Sequence, residues 1–89
     1  MKYVAEPFIV EAIQWDGTEE GAEKIKKEFG FDYRMGHMDY DNKKLMLEIY
    51  AESGATLLNK GEYLIKDLIG EPFACKARIF KQRFKEIKD

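Results

Sequence analysis

The sequence predicts an α+β domain in which one helix, over about residues 18–29, covers one face of a strongly twisted antiparallel sheet of five to seven short strands. Three observations carry this. A single window has helical periodicity with charges arranged to suit the helix dipole, the remaining apolar residues alternate in short runs, and turn residues separate those runs at close spacing. At 89 residues, with 45% hydrophobic and 36% charged side chains, the chain has room for one core and one domain, 1–89.

Phe8 to Trp15 reads as the first strand, with Ile9, Ile13 and Trp15 on one face and Phe8, Val10 and Ala12 on the other, both faces largely covered. Glu11 and Gln14 are its polar intrusions, and each needs a hydrogen-bond partner if buried. Asp16-Gly17-Thr18 is turn chemistry. The helix that follows has Glu19 and Glu20 in its first turn, lysines towards its last, and Ala22, Ile25 and Phe29 on one stripe. Gly30 suits a left-handed cap, whereas Gly21 weakens the first turn by roughly 1 kcal/mol relative to Ala.

From Phe31 the period changes to two. Phe31, Tyr33 and Met35 alternate, as do Leu45, Leu47 and Ile49, with Asp39-Tyr40-Asp41-Asn42 as the turn of a hairpin. Ser53-Gly54 breaks the second strand, Thr56 to Leu58 form a short third, and Asn59-Lys60-Gly61-Glu62 turn into a strand over Tyr63 to Lys66. Leu68 to Pro72 return the chain, and Phe73 to Cys75 follow as an edge that tolerates Pro72. The predicted core is Ile13, Trp15, Ile25, Phe29, Leu47, Ile49, Leu64, Phe73 and Phe80. Beyond Cys75, Phe80, Phe84 and Ile87 recur at i, i+4 and i+7, a helical spacing from about Lys76 onward.

Charge is unevenly spread. Residues 76–89 hold six bases and two acids, a local +4, whereas residues 1–75 sum to −6 and the whole chain to −2. That balance provides no general attraction for a phosphate backbone, so nucleic acid is an unexpected partner. No apolar run approaches the roughly 20 residues of a membrane-spanning helix, and an acid and a proline interrupt the first residues, so the expected location is cytoplasmic, with no membrane. The single cysteine, Cys75, excludes an internal disulfide and a multi-thiolate zinc site.

Three stretches resemble a family of small uncharacterised proteins encoded by phages and prophages. Val10-Glu11-Ala12-Ile13-Gln14-Trp15-Asp16-Gly17 is similar to its VEAxQW/YxG opening, and Asn59 to Lys66 to its xPGDYIIKG turn and strand. Gly70 to Phe80 is similar to its GExYPCKPDIF motif. Lys60 stands where the family has Pro, Glu62 where it has Asp, and Ala77-Arg78 where it has Pro-Asp. The resemblance implies a short C-terminal helical turn after Cys75 leading into a final strand, rather than one long helix. It implies a phage- or prophage-like accessory protein and no particular reaction.

Candidate chemistry is sparse. Lys76 and Arg78 beside Cys75 are the setting of an activated thiol, yet a lone Cys in an apolar strand is more often a small buried hydrophobe, and alternation sends Lys76 to the opposite face. His37 with Asp39 and Asp41 has metal-ligand chemistry, but such residues commonly just solvate a hairpin tip, so no metal or cofactor is expected. Glu11, Gln14 and Trp15 either satisfy backbone groups or line a pocket. The structural role is favoured, with Glu11 accepting from the backbone around Gly61. Lys76 and Arg78 join these three as candidate binding residues. The bases interleaved with Phe80 and Phe84 outline a cationic, aromatic surface for nucleotide or nucleic acid only if the rings are exposed. The expected function is a noncatalytic module binding a host or phage protein, with a homodimer through an uncovered sheet edge or face as one form of that binding. The alternatives are nucleotide or nucleic-acid binding through the basic C-terminal segment and a Cys75-dependent enzyme.

Overall fold

Thr18 starts the first helix because its hydroxyl accepts the Gly21 N–H at 3.0 Å, while the Asp16 carboxylate accepts from the Thr18 amide at 2.9 Å and its hydroxyl at 2.6 Å. The helix, α1, runs Glu19–Phe29 and closes at Gly30, whose φ of 82° places it in the left-handed region. In this computed structural model the described residues are 1, 9–37, 45–67 and 69–86. Gly21, a weak point by propensity, has a packing reason: a Cβ there would overlap the Asp16 carboxylate and sit 3.2 Å from Cδ1 of Trp15.

The strands are β1 (Glu11–Gln14), β2 (Asp32–His37), β3 (Leu45–Ala51), β4 (Gly54–Asn59), β5 (Tyr63–Lys66) and β6 (Pro72–Cys75), all antiparallel to their partners. A two-turn helix, α2, spans Ala77–Arg83. The fold is α+β and the strand number falls within the predicted range, but the strands form two sheets, β1-β5-β6 and β2-β3-β4, rather than one. The division lies between β4 and β6. There the Thr56 hydroxyl donates to the Pro72 carbonyl at 3.5 Å, a side-chain contact in place of a backbone ladder, and Pro72 brings no N–H.

The main core lies between α1 and the inner faces of both sheets. Trp15, Ala22, Ile25, Phe29, Leu47, Ile49, Leu58 and Leu64 are buried in it. Register explains the selection, because antiparallel partners share a face: Leu47 lies opposite both Met35 and Leu58, and Leu64 opposite Ile13.

Several expectations are corrected. The first strand is Glu11–Gln14, with Ile9 69% exposed and both Glu11 and Gln14 exposed, so its faces are not covered throughout, and Phe8 lies outside the described residues. Phe73 is 42% exposed, because alternation pairs it with Ile65 on the face of β1-β5-β6 turned away from α1. Phe80 is half-buried and belongs to a second apolar cluster on that same face. No final strand follows α2 among the described residues: Phe84 is extended at φ −122°, ψ 144°, and residues 84–86 join no sheet. The expected helix therefore holds Phe80 and ends before Phe84, and Ile87 lies outside the described residues.

Candidate functional site

The residues singled out in the sequence separate into a structural lock and an open groove. The lock joins the turn after β1 to the turn before β5. The Trp15 amide donates to the Glu62 carbonyl at 3.0 Å, and the Gly61 amide donates to the Trp15 carbonyl at 2.8 Å. Gln14 Nε2 donates to the Gly61 carbonyl at 3.0 Å, and the indole N–H of Trp15 donates to the Thr18 carbonyl at 2.8 Å. Glu62 fastens the second turn from within, its carboxylate accepting the Asn59 amide at 2.7 Å. Gly17, at φ 86°, leaves room for the Lys60 side chain, whose Cγ would lie 2.8 Å from any added Cβ.

Glu11, Gln14 and Trp15 therefore do not converge on a pocket. Trp15 is fully buried in the main core, Gln14 is exposed and bridges to Gly61, and Glu11 is exposed opposite Lys66. The expected link between Glu11 and the Gly61 N–H is corrected: the Trp15 carbonyl takes that proton, and Gln14 supplies the side-chain contact. Glu11 sits four positions from the turn on the wrong side of the strand's alternation to reach it.

Among the described residues electrostatic perturbations are few, at exposed Asp16 and Tyr50 and at half-buried Tyr33. The hydroxyl and amide of Thr18 hold the Asp16 carboxyl below its usual range. Tyr33 donates its hydroxyl to Glu23 at 2.6 Å, and that bond pushes the phenol up to about 12. Tyr50 is raised by its hydrogen bond to Glu48. In each the leading cause is hydrogen bonding to one nearby residue, which is the pattern of surface pairing rather than of a tuned acid and base.

Cys75 is half-buried on the strand face that carries Tyr63, and its thiol donates to the neighbouring Lys76 carbonyl across 3.7 Å. Lys76 is exposed at the N-cap of α2 without a capping side-chain bond, and Arg78 is exposed in the first turn. These three do not form a cluster around the thiol: Lys76 offers it a carbonyl acceptor, not an ammonium. His37 ends β2, while Asp39 and Asp41 lie outside the described residues. Among the described residues no group of three His, Cys, Asp or Glu side chains is placed to hold a metal.

The groove lies on the face of β1-β5-β6 that α2 covers. Tyr63 and Phe80 stack with centroids 3.8 Å apart and planes 11° from parallel, and Phe80 and Phe84 stack at 4.9 Å and 18°. Two neighbours parallel to one ring at these distances can coexist only on its opposite faces, so Phe80 is sandwiched and its edge alone remains free. Ile65, fully buried yet outside the main core, lies on this same face. Beside the ring stack opens a hollow of about 590 Å³, floored by Val10 and Ala12 and rimmed by Arg83, Lys85 and Glu86.

The sequence had Arg83 and Lys85 among its bases and Phe80 and Phe84 among its rings, but the candidate cations Lys76 and Arg78 stand at the other end of α2. What joins the right residues is the helix setting Phe80 over Tyr63, with Phe84, the extended residue that ends the helix, stacked on the other face of Phe80. A second hollow, of about 600 Å³, is lined by Phe31, Tyr50 and Ile69 with Asp32, Glu52 and Glu71, so the two hollows differ in charge. In comparisons with protein-family models, with curated proteins and with solved structures, nothing matches this chain.

Proposed function

We infer that the chain is a noncatalytic module that binds another protein, an accessory protein of phage or prophage type acting in the cytoplasm of a host bacterium. The observation that carries the reading is the open groove beside the Tyr63–Phe80–Phe84 stack: it combines an apolar floor with an exposed rim in which Arg83 and Lys85 outnumber Glu86. Such a mixture of aromatic and Arg side chains is typical of protein-binding surfaces. Exposed apolar side chains elsewhere agree with it, Leu57 on β4 at 46% and Phe73 on β6 at 42%. The phage origin rests on the motif resemblance in Val10–Gly17, Asn59–Lys66 and Gly70–Phe80 alone.

The test is photocrosslinking in lysogenic or infected cells, with a photoreactive residue in place of Arg83 and a control in place of Glu20 on the exposed side of α1. The reading expects a discrete protein adduct at position 83 that is missing at position 20. Adducts to nucleic acid alone, or the same adduct pattern at both positions, would overturn it.

A further inference from the structure

Resting on the reading of the groove as a protein-binding site, we propose that its occupant is an acidic peptide segment of the partner, with carboxylates against the rim and one apolar side chain on the floor. Charge complementarity is the first support. The charged residues lining the groove are Arg83, Lys85 and Glu86, a local excess of one positive charge, at the end of a segment, residues 76–86, that is net basic on a chain whose other residues are net acidic. Arg83 and Lys85 are exposed at the rim, so their charges meet an arriving carboxylate without prior desolvation.

The ring geometry is the second support, and it separates a peptide from a nucleic acid. Base binding by aromatic side chains needs a free ring face. Both faces of Phe80 are taken by Tyr63 and Phe84, so a base would have to break the stack or sit only at its ends. A sandwiched ring offers its edge, where the quadrupole is positive, and an edge favours carboxylate and carbonyl oxygens. The floor of Val10 and Ala12 is the apolar counterpart, with room for one aliphatic or aromatic side chain in about 590 Å³. A carboxylate-rich segment with a single apolar anchor satisfies rim, ring edges and floor together.

The test uses the full chain, isotope-labelled, titrated with a peptide in which Asp and Glu flank a central Leu or Phe. The controls are the same peptides with Asn and Gln for the acids, and oligothymidylate. The expected result is saturable shifts at Ala12, Tyr63 and Phe84 with the acidic peptides, weakening as salt rises. Arg83→Glu with Lys85→Glu should reduce affinity by about tenfold or more, while Lys24→Glu with Lys27→Glu on α1 leaves it within about twofold. All four positions are exposed, so unchanged spectra of the free variants verify their folding.

Equal binding of the neutral peptides would overturn the acidic occupant while leaving a protein-binding groove. Tighter saturation of the same residues by oligothymidylate would overturn both. A concentration-dependent dimer dissolved by the Arg83 and Lys85 reversals would assign the groove to a second copy. Contacts from residues 2–8 to Ala12 and Phe84 in the free protein would assign it to the chain itself, and either result overturns the proposal.

Discussion

The sheet β1-β5-β6 presents two faces, and they are covered in different ways. The face towards α1 is sealed by residues from α1 and from strands of both sheets, with Trp15, Ile25 and Leu64 fully buried. Its helix is stopped at both ends, by the Thr18 hydroxyl and by Gly30. The opposite face carries α2, seven residues long, with no side-chain N-cap, no fully buried residue and an extended Phe84 at its end. Short helices without caps draw their stability from what they pack on, and here that is chiefly a stack of three rings. One face of this sheet holds the fold; the other has surface left over for a ligand.

The sharpest way to break the comparison is truncation on each side. Leu47→Ala removes a fully buried side chain from the main core and should cost about 2–5 kcal/mol in chemical denaturation, enough to threaten a domain of this size. Phe84→Ala removes the last ring of the half-buried stack and should cost about 1 kcal/mol, the worth of an aromatic pair. Equal losses would mean that α2 belongs to the same core as α1.

A subtler change tests the α1 side by sign. On helix propensity alone, Gly21→Ala gains roughly 1 kcal/mol, but the added methyl meets the Asp16 carboxylate and the Trp15 ring. Net destabilisation of about 1–2 kcal/mol, with altered Trp15 fluorescence, is expected from overpacking. A stabilised variant would show that the turn shifts freely.

Cys75 reports on the other side without mutation. Because its thiol is half-buried on the face beneath α2, labelling at neutral pH should proceed through local opening of that helix, faster than global unfolding but slower than for a free thiol. Labelling limited by global unfolding would place Cys75 in the main cooperative unit. Immediate labelling would show the face uncovered.

The smallest effect is acid sensitivity at the start of α1. The folded-state pKa of Asp16 is lowered by its bonds to Thr18, so its contribution is present above the ordinary carboxylate value of 3.8 and is lost as pH falls through the folded value. Asp16→Asn should flatten that limb of the stability profile while leaving neutral-pH core packing intact. Tyr33 gives the reverse slope at high pH: its raised phenol pKa keeps the Glu23 bond formed until pH rises towards about 12.

What the sequence revealed and what it concealed follow the same divide. α1 was legible because its signals are local: Thr18 and Gly30 at the ends, and the Ala22, Ile25, Phe29 stripe between them. The strands were legible by alternation. The break into two sheets was not, since whether β4 and β6 pair depends on how strands 16 residues apart meet at Thr56 and Pro72, which no local pattern encodes. Phe73 misled for a similar reason: its neighbours mark a strand, but not which of two sheet faces has spare room. For the groove, every contributing residue was visible, yet Tyr63 and Phe80 become neighbours only through the fold, so the basic residues nearest Cys75 drew attention from those nearest the rings.

The bond from Gln14 to Gly61 closes a loop of 47 residues, and this sets an order of events during synthesis. The strands β2, β3 and β4 are joined in sequence and can zip up together with α1 while the downstream chain is still being made. The first strand has no partner until residues 63–66 have emerged from the ribosome. Until then Ile13 and Trp15 remain without their final cover, and it is a strand in the last third of the chain that brings β1 into place.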